Sequence, residues 1–247
     1  MRKEDNQKVY FGDKKVEKLE KKEGVESIFS KVSDNYDLMN DLMSVGTHRY
    51  WKECMIDWLE PFVGMKIIDV AGGTGDISLR FLKRVNGEGT AVVCDPNDSM
   101  IEYGKKKNQS NQNIEWTTAP AENLPFENES FDAYLVSFGV RNFDNIKKSL
   151  DEAHRVLKSG GRFICLEFSK VQNEDLSKLY NVYSKMIPIF GKIIVGDEKP
   201  YKYLVESIKK FANQEELLEL MKKNKFQNCS YRNLSGGIVA IHSGWKV

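Results

Sequence analysis

From Met65 onward, short apolar runs alternate with segments whose apolar residues recur at helical spacing. The runs "KIIDVA", "GTAVVCD", "NIEWTTA", "FDAYLVSFGV" and "RFICLEFS" predict five strands. Between them, "DISLRFLKRV", "SMIEYGKKKN" and "IKKSLDEAHRVLK" predict helices, the last stopped by "SGG". Strands this apolar, alternating with helices, imply a parallel sheet covered on both faces. Beyond a further helix, "NQEELLELMKKN", the segments "FQNCSYRNL", "SGG" and "GIVAIHSGWKV" predict an antiparallel hairpin. The expected architecture is α/β, with a seven-stranded, mostly parallel sheet and a reversed final pair.

Two regions depart from this rhythm. Residues 1–24 alternate charges and predict a flexible, solvated arm; Val25, Ile28, Phe29 and Val32 then form a helical stripe, repeated in "HRYWKECMIDWLEPF". Residues 25–62 are therefore expected to form a helical lid. Residues 176–210 are rich in Tyr, Ile and Met and hold two prolines. That stretch is too long for a connector and too apolar for water, so it should be helical and cover something. The expectation is one domain over 25–247: the lid, a core over 65–170, the insertion, and a C-terminal helix and hairpin over 213–247.

Composition narrows the function classes. The 247 residues suffice for one large α/β domain, with 37 Lys and Arg against 36 Asp and Glu and a net charge of +1. No bulk field recruits nucleic acid. Cys54, Cys94, Cys165 and Cys229 lie far apart without a C-x-x-C, which predicts reduced thiols and no metal site. The N-terminus lacks the apolar core of a signal peptide. The most apolar stretch, "MIPIFGKIIVG", falls short of the ~18–20 residues that span a bilayer. These features predict a cytoplasmic protein.

The chemistry concentrates at "DVAGGTGD", where a buried strand ends in Asp69 and Ala71, Gly72, Gly73, Thr74 and Gly75 lead into a helix. Small residues here let backbone lie against a bulky ligand at the carboxyl edge of the sheet. The second strand also ends in an acid, Asp95, which either grips a ribose or caps the helix that starts near Asn97. The dinucleotide fingerprint fails at its third glycine, where Ser78 stands, and no Lys-Ser/Thr follows, as a P-loop requires. A nucleoside without phosphates fits better, and S-adenosylmethionine has that shape. A nicotinamide-linked oxidoreductase is the disfavoured rival.

The "DVAGGTGD" loop resembles the first motif of class I methyltransferases, with Ala71 at the usual first glycine. The segments "YDLMNDLMS" (36–44), "HRYWK" (48–52), "AENLPF" (121–126), "SFGVRN" (137–142), "RVLKSGGR" (155–162) and "LEFSK" (166–170) resemble the ubiquinone/menaquinone biosynthesis C-methyltransferases. The resemblance continues through "NLSGGIVAIHSG" and implies a Rossmann-like fold. It also implies S-adenosylmethionine-dependent methylation of a ring carbon on a polyprenylated benzoquinol or naphthoquinol. Alternatives are another small aromatic or lipid substrate, or a non-catalytic scaffold. Carried over, the cofactor contacts fall on Thr74, Asp95, Pro120, Ala121 and Ser137. Pro120 replaces the usual Asn, so the side-chain contact to adenine is lost there. Thr74 alternatively stabilises the turn, Ser137 is alternatively a plain buried hydroxyl, and Met100 either closes over adenine or packs in the core.

Arg141 and Asn142, just past the fourth strand, are the leading catalytic candidates. Arginine stays protonated, so Arg141 suits a phenolate's counter-ion or the holder of a water better than a base; the alternative is an ion pair with an acid such as Asp144. Tyr36 is expected either to hydrogen-bond the quinol or to pack in the lid. His48 reads as a helix-start residue, with a base as the alternative, His154 and His242 as structural, and Asp76 as either a cofactor contact or a helix-dipole residue. Leu179, Tyr180, Tyr183, Met186, Ile187, Ile189, Phe190, Ile193 and Ile194 are expected to line a tunnel for the prenyl tail, or else to form a dimer interface or a satellite core. Lys178, Lys185 and Lys192 would face anionic headgroups. The expected partners are thus a quinol, a transient membrane contact peripheral to the cytoplasmic membrane, and a homodimer or a quinone-biosynthesis complex.

Overall fold

A computed structural model describes residues 9–11, 14–17, 19–21, 23–25, 28, 41, 44 and 46–247. The chain divides into two compact units, Met1–His48 with Val171–Phe211, and Arg49–Lys170 with Ala212–Val247.

The second unit holds the seven-stranded sheet. Its strands are β3 (Lys66–Val70), β4 (Thr90–Asp95), β5 (Ile114–Thr118), β6 (Phe131–Ser137), β7 (Leu157–Phe168), β8 (Gln227–Leu234) and β9 (Val239–Trp245). They lie in the order β5-β4-β3-β6-β7-β9-β8. Strands β3 to β7 pair in parallel, and β9 runs antiparallel to both β7 and β8. A reversed final pair was expected; only β9 is reversed. The hairpin folds its second strand inward, so the apolar β9 lies between two neighbours while the more polar β8 takes the edge.

The helices of this unit follow from local chemistry. Helix α1 (His48–Leu59) buries Trp51, Met55 and Ile56. Helix α2 (Asp76–Arg84) buries Ile77, Ser78, Phe81 and Leu82. Asn97 caps α3 (Asp98–Lys107) by accepting from the Met100 N–H at 3.2 Å, and Asn145 caps α4 (Ile146–Val156) in the same way. The chain leaves β3 outward to β4 and β5, then returns to β6 on the other side. A topological switch therefore falls between β4 and β6, at the carboxyl end of β3, where open α/β sheets bind ligands.

In the first unit, Val9–Phe11 (β1) and Lys14–Val16 (β2) pair antiparallel within the stretch read as an arm. The insertion forms two helices, α5 (Glu174–Val195) and α6 (Lys199–Lys210). A Cβ at Gly191 would enter the ring of buried Tyr201, so glycine lets α5 lie close on α6. In the second unit α7 (Gln214–Lys223) opens with a capping box between Asn213 and Glu216.

Candidate active site

The loop after β3 is shaped by contacts that exclude side chains. A Cβ on Gly72 would stand 2.7 Å from the Asp69 carbonyl oxygen, 2.9 Å from Asp69 Cγ and 2.9 Å from Val93 Cγ1. Gly75 takes φ 80° at the start of α2, and a Cβ there would meet Trp116 at 2.8 Å. Ala71 is also left-handed, at φ 53°. Thr74 is buried, and its carbonyl accepts from Asn108 Nδ2 at 3.1 Å.

Two buried carboxylates hold this loop. Asp69 Oδ2 accepts from the Ser78 N–H at 3.2 Å and from Ser78 Oγ at 3.0 Å. Burial pushes Asp69 up to about 7, against the pull of the Ser78 bonds. The serine that breaks the dinucleotide fingerprint thus fastens the first strand to the first helix. Asp95 Oδ2 accepts from the Gly73 N–H at 3.0 Å, and Oδ1 from the Asn97 N–H at 2.9 Å. Burial pushes Asp95 up to about 6. The helix cap is Asn97, so Asp95 bridges the glycine loop and the strand end. Each carboxylate oxygen keeps further acceptor capacity for two hydroxyls of a ribose.

Past β5, Pro120 is exposed and Ala121 buried. Strand β6 ends at Ser137, shorter than the run "FDAYLVSFGV" suggests, because Phe138 turns left-handed at φ 58° and Val140–Asn142 form one 3-10 turn. That turn carries Arg141 back toward β7. Its Nη1 donates to Glu167 Oε1 at 2.8 Å and to the Phe138 carbonyl, and its backbone N–H donates to Glu167 Oε2 at 3.3 Å. Burial raises Glu167, with Arg141 opposing. The partner of Arg141 is therefore Glu167, not Asp144. The guanidinium also lies 5.7 Å from the Phe168 ring, which packs with Phe138 and Trp51. Ser137 Oγ and Arg141 Nε are buried without a hydrogen-bond partner among the described residues.

The remaining candidates are dispersed. Asp76 pairs with Lys52 Nζ at 2.8 Å and Arg80 Nε at 3.0 Å; burial raises it, but the two cations bring it below its usual value. Met100 is a buried α3 residue. His48 Nε2 lies 3.0 Å from Asp41 Oδ1. His242 sits 2.9 Å from the Gln214 carbonyl and is lowered by burial to about 4, which keeps it neutral. All four cysteines are free, and burial lifts Cys94 to about 12. No group of three or more His, Cys, Asp or Glu among the described residues could hold a metal ion. Tyr36 and most of the expected lid lie outside the described residues.

The chain matches the model of the ubiE/COQ5 methyltransferase family over residues 15–246. It belongs to that family. The chain is 49% identical over 97% of its length to the ubiquinone/menaquinone biosynthesis C-methyltransferase UbiE of Ruegeria sp., covering 97% of that protein. It is 48% identical to the Roseobacter denitrificans protein of the same name, over 98% of each chain. Solved methyltransferases share the fold. A SAM-dependent methyltransferase from Thermotoga maritima aligns with TM-score 0.62 and 21% identity, covering 90% of this chain and 99% of its own. One from Aquifex aeolicus gives TM-score 0.59 and 15% identity, over 79% and 89%.

This ubiE/COQ5-family chain is an S-adenosylmethionine-dependent C-methyltransferase. Its residues fit the cofactor: Ser137 Oγ is a buried hydroxyl without a partner among the described residues. Sequence reasoning missed Ser78, Trp116 and Glu167. The third lies in the family segment "LEFSK", but only the pairing of β6 with β7 brings it to Arg141.

Proposed function

We propose that this methyltransferase acts on a ring carbon of a polyprenylated quinol in ubiquinone or menaquinone biosynthesis. The relatives' names, at nearly half identity over almost the whole chain, support the substrate class. One observation carries the chemical reading: Arg141 Nε is a buried N–H without an acceptor among the described residues, on a guanidinium fixed by Glu167. Such a donor suits a phenolate oxygen.

Bound S-adenosylmethionine would supply an electrophilic methyl group. The backbone from Ala71 to Gly75, the Asp95 carboxylate, the Ala121 backbone and Ser137 Oγ would hold it; the exposed Pro120 would contribute little. Asp69 acts through Ser78 by fixing the loop. A ring carbon becomes nucleophilic when a ring hydroxyl ionises, and Arg141 would stabilise that oxygen with a preorganised donor. Because Glu167 neutralises the cation, Arg141 works by hydrogen bonding more than by net charge. Asn142 stands beside it as a second polar group. A polyprenyl tail keeps such a substrate in lipid, so the enzyme works at a membrane surface.

The test is turnover of purified protein with S-adenosylmethionine and reduced, short-chain prenylated benzoquinol or naphthoquinol, read by mass spectrometry. A product one methyl heavier on either ring supports the reading. Intact cofactor binding with no product from both would overturn it.

A further inference from the structure

Helix α5 carries an apolar stripe that the protein leaves in water. Leu179, Val182, Met186, Ile189 and Ile193 follow one another at intervals of three and four residues and share one face. All five are exposed, Ile193 at 73% and Leu179 at 68%. The opposite face, with Ser184, Ile187 and Gly191, is buried, and Gly191 lies against Tyr201 of α6. Of the tunnel residues expected from sequence, Ile187 is fully buried, whereas Leu179, Met186, Ile189 and Ile193 point outward.

Charge decides what this stripe meets. Lys178, Lys185 and Lys192 recur every seven residues, each one position before Leu179, Met186 and Ile193, and all three are exposed. They form a cationic flank about 100° around the helix from the stripe. Between Leu176 and Gly196 the helix holds no Asp or Glu. A second copy laid antiparallel along the stripe would set lysine against lysine. Laid parallel, it would set lysine against the Tyr183 and Phe190 flank, with no acid to complement it. The acids of α5, Glu174 and Asp175, lie in its first turn, where Asp175 Oδ1 stands 3.6 Å from Lys178 Nζ in an exposed pair; an anionic headgroup layer complements Lys185 and Lys192 and reaches Lys178 as well, while the acyl region takes the apolar residues. Helix α5 is 22 residues long, and no described helix is long and apolar enough to cross a membrane. Its geometry suits lying flat.

We propose that this face of α5 docks the protein on an anionic phospholipid bilayer. The proposal rests on the reading that the substrate carries a lipid tail. It is tested by co-sedimentation of the full chain with vesicles of phosphatidylcholine alone, or of phosphatidylcholine and phosphatidylglycerol in equal parts. Wild type should bind the mixed vesicles at least about tenfold more tightly than the neutral ones. Lys178→Glu/Lys185→Glu/Lys192→Glu and Leu179→Ser/Ile189→Ser/Ile193→Ser should each weaken mixed-vesicle binding by about a hundredfold. Both should keep S-adenosylmethionine binding. If a triple variant misfolds, Ile193→Glu alone should weaken vesicle binding in the same direction. Vesicle binding unchanged in the folded variants would overturn the docking face, as would loss of self-association with vesicle binding intact. Wild-type vesicle binding without methylation of any prenylated quinol would instead overturn the substrate reading.

Discussion

The Arg141 guanidinium lies 2.8 Å from the Glu167 carboxylate, with 3% and 1% of the two side chains exposed. Neither charge can turn to water, so each fixes the other. The Phe138 carbonyl and the Phe168 N–H complete the arrangement, the latter donating to Glu167 Oε1 at 2.9 Å. Arg141 is thus a rigid donor plane, held by strand β7.

Arg141→Lys should leave S-adenosylmethionine affinity within about threefold and lower kcat on a prenylated quinol by about a hundredfold or more, because a point charge cannot keep both the Glu167 contact and a second donor in place. Glu167→Gln should lower kcat by at least about tenfold and cost about 1–3 kcal/mol of stability, since the buried guanidinium loses its counter-charge. Calorimetric cofactor titration beside steady-state kinetics checks both. Normal kcat with weakened cofactor binding would remove Arg141 from the chemistry.

Asp95 should couple cofactor binding to pH. In the proposed complex it would accept two ligand hydroxyls in its ionised form, and burial places its carboxyl at about 6. Affinity for S-adenosylmethionine should therefore fall about tenfold for each unit that pH drops below that point. Asp95→Ala should weaken binding by about a hundredfold at neutral pH, because it also frees the Gly73 N–H of the loop. Titrations from mildly acidic to neutral pH check this. A flat profile in wild type would mean that Asp95 does not contact the cofactor as an anion.

The sheet was legible because β3, β4 and β6 are buried on both faces, which leaves near-continuous apolar runs, and because a glycine loop after the first run marks the ligand edge. What stayed hidden depends on partners distant in sequence. Nothing near Arg141 identifies Glu167, 26 residues on; the neighbouring acid, Asp144, is the more obvious partner, and only the β6–β7 register rules it out. Ser78 looked like a defect in a fingerprint until Asp69 was seen accepting both its donors. The order of β8 and β9 depends on which strand has two apolar faces to cover. The outward stripe of α5 has the same composition as a tunnel wall, so sequence alone cannot tell inside from outside.

Gly72→Ala should abolish cofactor binding without unfolding the chain. The added methyl group would press on the Asp69 carbonyl, the Asp69 side chain and Val93 together, and two of these belong to the buried strand that positions the loop. Overpacking of this kind costs about 1–3 kcal/mol. A urea transition checks stability and calorimetry checks affinity. Wild-type affinity in Gly72→Ala would show that the loop's seat on the buried strands does not set cofactor affinity.

Asp69 should make the apoprotein less stable as pH rises from acid toward mildly alkaline values. Burial raises its carboxyl to about 7 in the folded state, from an unfolded value near 3.8. A raised acid holds its proton more tightly when folded. Its stabilising contribution is therefore complete below the unfolded value and disappears as pH climbs through the folded one, up to about 4 kcal/mol in all. Asn in its place keeps an oxygen for the two Ser78 donors and puts an uncharged amide where Oδ1 has no partner among the described residues. Asp69→Asn should therefore nearly match wild type at about pH 5 and equal or exceed it at about pH 8, with a flatter slope between. Asp95 titrates in the same direction in both proteins, so the difference between their urea midpoints isolates Asp69. A difference that stays constant across that range would mean that the Asp69 carboxyl is ionised throughout, and that the strand-to-helix clasp tolerates a buried charge.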